Sequence, residues 1–188
     1  MPPSTGAVSA LGGFRSPCHV FVDESKSAGY IAAATYIEAN RVAAARQAIA
    51  GLRLPGAERL HFIHERDARR KQILEQLLTA GIRARVYIAR TTNQPLGRRE
   101  TLTALVNDAL EANARRIVLE QDDSVLTADR RLLTPLIRRA NHEAQFEHVR
   151  SRSEPLLWPS DAVAWCWQRG GTWIERSRPL VDVVQVVL

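Results

Sequence analysis

Lysine is nearly missing from this chain. Of its 26 basic residues only Lys26 and Lys71 are lysines, and the rest are arginine. Against 20 acids they leave a formal net charge of +6. A basic surface is the electrostatic footprint of an anionic partner such as nucleic acid. Arginine with alanine in place of lysine also follows from a GC-rich genome, so the charge alone decides little. Cysteine is equally scarce. Cys18 and Cys166 stand apart without the spacing of a zinc site, and read as buried reduced thiols of a cytoplasmic protein. No apolar run approaches the roughly 20 residues of a membrane-spanning helix. There is no GxGxxG or GxxxxGK[ST] loop, no GxSxG elbow and no HExxH pair. Those absences argue against nucleotide binding on a glycine-rich loop, serine-elbow hydrolysis and zincin chemistry. The opening "MPPSTGAVSALGGFRSP" has no basic segment followed by an apolar block, so it does not read as a signal peptide. Its composition predicts a disordered leader over residues 1–17.

The remaining residues, 18–188, suit one domain with its own core, at 45% hydrophobic and 24% charged for the whole chain. "HVFVDE" reads as a buried strand, and "GYIAAATYIE" returns after the turn "SKSAG" as the second arm of a hairpin. "ANRVAAARQAIAGL" predicts a helix with Asn40 as cap and Gly51 as stop. "ERLHFI" predicts a short strand. "RDARRKQILEQLLTAGI" is amphipathic, with Ile73, Leu74, Leu77 and Leu78 on one face. "RARVYIAR" is a strand, "TTNQPLG" a loop, and "RRETLTALVNDALEANA" a helix with Leu102, Leu105, Val106, Ala109 and Leu110 inward. "RRIVLEQDD" is a strand ending in acids. "TADRRLLTPLIRRANHEA" is helical, with Pro135 either kinking it or opening it after a Thr134 cap. "QFEHVRS" is a short strand and "WPSDAVAWCWQRGG" an apolar helix stopped by Gly170. "PLVDVVQVVL" is a last edge strand or a tail docked on a second copy. A hairpin followed by strands alternating with helices predicts an α/β layer fold with a mixed sheet.

The informative residues are acids at strand ends. An ionised carboxylate is costly to bury unless it is paired, hydrogen-bonded or bound to metal, and in open α/β sheets ligands bind beyond the strand ends. Asp23 and Glu24 end one strand; Glu120, Asp122 and Asp123 end another. If the two strands are neighbours, the acids meet at one sheet edge. Asp161 adds a third group, from the first turn of an apolar helix.

"VFVDES", "IVLEQDD" and "SDAVAWCW" together resemble the ribonuclease-H-like superfamily, and more closely an uncharacterised prokaryotic family assigned to it. The resemblance spans roughly Cys18 to Gly171 through short motifs. It implies a ribonuclease-H-like mixed sheet flanked by helices, and metal-dependent hydrolysis of phosphodiester bonds in DNA or RNA. Asp23 would then bridge two Mg²⁺ or Mn²⁺ ions, with Glu120 or Asp123 and Asp161 completing the ligand set. Ribonuclease H itself carries a fourth acid on the helix after the hairpin strands. The nearest match here is Glu65, and beside it His61 and His64 have the chemistry to move protons near neutral pH.

Plainer readings stand beside these. Asp23 and Glu24 suit a hairpin turn, Asp161 a dipole-favoured first turn capped by Ser160, and Glu120, Asp122 and Asp123 an ordinary acidic loop. His61 and His64 suit a surface strand end. Trp158, Trp165, Trp167 and Trp173 read as core and interface residues rather than base-stacking platforms. "RDARRK" and "IRRANHE" are solvated helix faces unless they line the acidic edge, where arginine forks would hold phosphates. The leading expectation is a metal-dependent nuclease. The alternatives are a catalytically silent module that binds nucleic acid or a protein partner, and a small-molecule α/β enzyme acting on a phosphorylated substrate.

Overall fold

The computed structural model describes residues 17–27, 29–140 and 143–188. Apart from Pro17, the predicted leader lies outside the described residues. The chain forms β1 (Cys18–Ser25), β2 (Tyr30–Glu38), α1 (Val42–Ala50), α2 (Asp67–Thr79), β3 (Arg83–Ala89) and α3 (Gln94–Glu111). It continues through β4 (Ala114–Glu120), α4 (Leu126–Arg139), β5 (Gln145–Val149), α5 (Trp158–Arg169), α6 (Thr172–Ser177) and β6 (Val181–Val186). The six strands make one sheet in the order β5-β4-β1-β2-β3-β6. β1, β2 and β3 form an antiparallel meander, while β4 runs parallel to β1, β5 to β4 and β6 to β3. This is the mixed sheet flanked by helices that the strand and helix order predicted.

Side chains of a strand alternate between faces, and here each face has its own core. Phe21, Ile31, Ala33 and Val118 pack with α1, α2 and α5. Val20, Val22, Ala32, Ala34, Ile117 and Leu119 pack with α3 and α4. Alanines 32–34 are fully buried and let helices approach the sheet on both sides. Thr35 and Ser160, both fully buried, are joined at 2.8 Å, and the Ser160 hydroxyl also donates to the Phe21 carbonyl at 2.7 Å. Ser160 is therefore a bolt from α5 to β1, not the helix cap the sequence offered.

Several local expectations fail for identifiable reasons. "ERLHFI" is not a strand: Phe62–His64 form a 3-10 turn. Its carbonyls find a side chain instead of a sheet partner, since Arg70 donates to Phe62 O at 3.0 Å and to Ile63 O at 2.6 Å. Asn40 caps nothing; Ala39–Arg41 make a 3-10 turn before α1. Leu78 stays 40% exposed. The second half of the loop "TTNQPLG" belongs to α3, which starts at Gln94; Asn93 caps it by accepting from the Leu96 amide, and Pro95 fills the first turn. Pro135 sits inside α4. "PLVDVVQVVL" supplies β6 at the sheet edge. Both cysteines are buried and unbridged. Among the described residues no helix is long and apolar enough to cross a membrane.

Candidate active site

β1 and β4 are adjacent and parallel, with Val22 level with Leu119. One step further along the same register, Asp23 comes level with Glu120. Alternation sends Asp23 to the face of Phe21 and Glu120 to that of Val118, so both meet α5. α5 contributes Asp161, held in place by its neighbour Ser160. The three carboxylates therefore arrive from three elements that are far apart in sequence.

Their electrostatics follow from this placement. Asp23 is 6% exposed. Burial, the charges of Asp161 and Glu120, and a hydrogen bond shared with Glu120 hold its carboxyl well above the usual range, against the opposing pull of the Glu24 amide. Burial also pushes Asp161 up, to about 6, with Glu120 adding to the rise. The Phe62 amide, donating to Asp161 Oδ2 at 3.2 Å, together with Arg59 and His64, moderates it. A buried carboxylate whose near charges include two more carboxylates is poor structural glue. It is the arrangement expected of a group that works with a cation.

One cation is already present. Arg59 Nη1 lies 3.1 Å from Glu120 Oε1, with both side chains about one-third exposed. His61 and His64 stack with ring centroids 4.4 Å apart on the 3-10 turn. Burial, Arg59 and His64 depress the His61 pKa, so its imidazole is neutral near pH 7 and free to accept a proton. Asp23 and Glu120 open into a cleft of about 800 Å³, bounded also by Ile63, Arg70 and Trp165, while Asp161 is not among its lining residues. Arg70 lies over the Trp165 ring at 4.3 Å while its nitrogens hold the turn, so it stiffens the cleft wall.

The other sequence candidates have partners of their own, although Glu24 and Asp122 also line the cleft. Asp123 is exposed, accepting from Gln121 at 2.6 Å and lying 3.5 Å from Arg150. Asp122 pairs with Lys26 at 3.0 Å and Ser124 at 2.6 Å, which pulls its pKa down to about 2. Glu65 ends the 3-10 turn, half-buried, and like Asp161, His61 and His64 it does not line the cleft. Glu24 points to the α3–α4 face, where Tyr30, Arg98 and Lys26 hold it. Arg98 also grips Asp129 with two bonds of 2.8 and 2.7 Å, and His148 Nε2 lies 2.8 Å from the same carboxylate. Sequence reasoning missed this Glu24–Arg98–Asp129–His148 network. Its only trace was an arginine and an aspartate on the buried stripes of two helices.

Comparison with solved structures places the topology. The chain superposes on the ribonuclease HII of a PCNA:RNase HII complex from Archaeoglobus fulgidus with TM-score 0.51 and 15% identity, covering 85% of this chain and 75% of the other. A mutant protein of Bst-RNase HIII gives TM-score 0.51 and 14% identity, covering 88% and 56%. The fold is ribonuclease-H-like. The chain spans only about half the length of the ribonuclease HIII it matches. Bst-RNase HIII in complex with Mn²⁺ aligns at TM-score 0.48 and 17% identity, covering 87% and 55%. No family model matches the chain, and no curated protein matches it by sequence.

Among the described residues, no group of three or more His, Cys, Asp or Glu side chains is placed to hold a metal ion by itself. The donor set nevertheless suits a hard divalent ion. Mg²⁺ and Mn²⁺ take oxygen ligands, and Mg²⁺ keeps several waters, using one or two carboxylates plus substrate oxygens rather than a full protein cage. Glu120 is among the groups that raise the Asp23 pKa, and a cation between two such carboxylates would relieve their repulsion. Asp161 stands across from them.

Proposed function

We propose that this protein is a divalent-metal-dependent nuclease of the ribonuclease-H-like superfamily, hydrolysing phosphodiester bonds of DNA or RNA. The observation that carries the reading is the meeting of Asp23, Glu120 and Asp161 at the carboxyl ends of β1 and β4, where burial and neighbouring carboxylates raise the pKa values of Asp23 and Asp161. The basic composition fits a polyanionic substrate. In this reading residues 18–188 are a single domain working in the cytoplasm, and Asp123 and Glu65 take no direct part.

Asp23, Glu120 and Asp161 would hold the ions. When bound, Mg²⁺ or Mn²⁺ supplies an activated water at neutral pH and neutralises charge at the scissile phosphate. The chain's own contributions are separable. Asp23 is fixed by the β1 backbone, and its Oδ1 accepts from the Glu24 amide at 2.7 Å. Ser160 and the Phe62 amide orient Asp161. His61, neutral and beside His64, is placed to take a proton. Arg59 keeps Glu120 oriented, and its remaining donors suit a phosphate oxygen.

One observation favours a catalytically silent binder: Arg59 already occupies Glu120, as a resident cation would in a site that never takes metal. Cleavage of single-stranded, duplex and hybrid substrates in Mg²⁺, Mn²⁺ or EDTA decides between the two. The nuclease reading requires products with either metal, none with EDTA, and none from Asp23→Asn or Asp161→Asn. Binding by all three proteins without cleavage selects the silent module.

A further inference from the structure

The cleft does not end at the turn between β1 and β2. Lys26 and Arg98, which bound it, also bound a second cavity of about 590 Å³ between the first turns of α3 and α4. Pro95, Val125 and Leu132 give this cavity apolar walls, and Arg99 and Arg131 stand at its rim. Four cations line it against one carboxylate, Asp129. That carboxylate is consumed by Arg98 and His148. Arg99 is 62% exposed and leans on Glu100 at 2.7 Å, a surface pair that yields readily to another anion.

The two cavities differ in character. The cleft sets the carboxylates of Asp23, Glu24, Glu120 and Asp122 against Lys26, Arg70, Arg98 and Arg169. The second cavity has apolar walls and more cations than acids, and it shares Lys26 and Arg98 with the cleft, Lys26 being clasped by Glu24 and Asp122 at 2.6 and 3.0 Å. A ligand that fits the second cavity has a flat, weakly polar body and anionic charge on either side. A nucleotide within a strand has that chemistry, and 590 Å³ is ample for a base.

We propose that this cavity is a nucleotide subsite for the strand lying in the cleft. One base leaves its stack and rests against Pro95, Val125 and Leu132, while its flanking phosphates sit on Arg99 and Arg131. The proposal rests on the nuclease reading, and it adds which part of the chain reads the strand beside the scissile bond. Unstacking one base of a single strand costs little, so an apolar wall suffices to hold it.

The test is the salt dependence of binding to a single-stranded oligonucleotide of about 12 nucleotides, in EDTA so that nothing is cut. Each phosphate contact contributes about 0.7 to the slope of log K against log salt for single strands. Arg99→Gln/Arg131→Gln should make the slope shallower by about 1.4. In a second measurement 2-aminopurine is walked along the strand. One position should brighten on binding to the wild type, and Leu132→Asp should abolish that signal with circular dichroism unchanged. An unaltered slope in the double variant, or an equal response at every position, overturns the subsite. If the wild type cleaves nucleic acid under that outcome, the nuclease reading stands and only the subsite falls. If the wild type binds no strand even at low salt, both fall.

Discussion

Asp161→Asn should stabilise the metal-free protein, and by an amount that depends on pH. Its carboxyl titrates at about 6 in the fold against a usual 3.8. Folded protein therefore binds more protons than unfolded protein between those values, and stability falls as pH rises through that window. The group costs nothing below about pH 4 and its full penalty above about pH 6 to 7. At about 1.4 kcal/mol per pH unit the penalty is about 3 kcal/mol as an upper figure, and about 2 kcal/mol allowing for water at the cleft mouth. In a domain of this size that corresponds to roughly 4–12 °C in melting temperature. Asparagine keeps an oxygen for the Phe62 amide, so the hydrogen bond at 3.2 Å survives.

The assay is thermal or urea denaturation of both proteins from pH 4 to pH 8 in EDTA, read as the difference between them. Groups remote from Asp161 cancel in that difference; Asp23 does not, because the Asp161 charge contributes to its raised pKa, and relief of Asp23 adds to the variant's gain at high pH. Asp122 and Asp129, whose pKa values are lowered by their partners, lose stability as pH falls in both proteins alike. The variant's advantage should grow from near zero at pH 4 to a plateau above pH 7. Adding Mg²⁺ at pH 8 should raise the wild type's melting temperature and leave the variant's nearly unmoved, because the ion answers the same charge that the substitution removes. A flat difference across pH, or a variant less stable at pH 8, would refute the reasoning and make Asp161 an ordinary first-turn acid.

Arg98→Lys should lose about 3–5 kcal/mol in urea denaturation, because an ammonium cannot serve Asp129 bidentately while also reaching Glu24 and Tyr30. Gly97→Ala should lose about 1–3 kcal/mol, since its new Cβ would lie 2.7 Å from the Tyr30 Cβ. Arg59→Gln should tighten Mn²⁺ binding roughly two- to fivefold in an EPR titration, the equivalent of the ~0.5–1 kcal/mol of a partly exposed ion pair. Weaker Mn²⁺ binding would show that Arg59 positions Glu120 rather than competing for it.

The sheet and its acids were legible because they depend on local pattern. Apolar runs ending in Asp23 and Glu120 needed only that β1 and β4 be neighbours, and the crossover of α3 makes them so. Asp123 was not separable from Glu120 by pattern. Three positions further along, the chain has left the strand, and its side chain answers to Gln121 and Arg150 instead. "ERLHFI" looked like a strand because its apolar residues alternate. What sets its conformation is Arg70, eight residues after Phe62, and no local rule reports a guanidinium that takes up two carbonyls. The Ser160 bolt was hidden for the same reason: a serine before Asp161 reads as a cap until its hydroxyl is seen on β1, 139 residues away in sequence.

The Asp-Glu pair at the end of β1 is where one residue's step in sequence becomes a difference in role. Adjacent strand residues face opposite layers. Asp23 therefore meets the acids of β4 and α5, with no full set of counter-charges, and Glu24 meets Arg98, Tyr30 and Lys26, which neutralise it. The second arrangement supports the first. Glu24 is clamped through Arg98 to Asp129 on α4, so the strand end that carries Asp23 is tied to the layer behind it and cannot relax away from Glu120 and Asp161. Repulsion among those acids would otherwise be relieved by a small shift of the β1 terminus. The arginine bias of the chain divides along the same line. At Arg98 and Arg70 a planar fork with several fixed donors is required by the partners it serves. At exposed positions such as Arg138 and Arg139 lysine would do as well, and there composition is explanation enough.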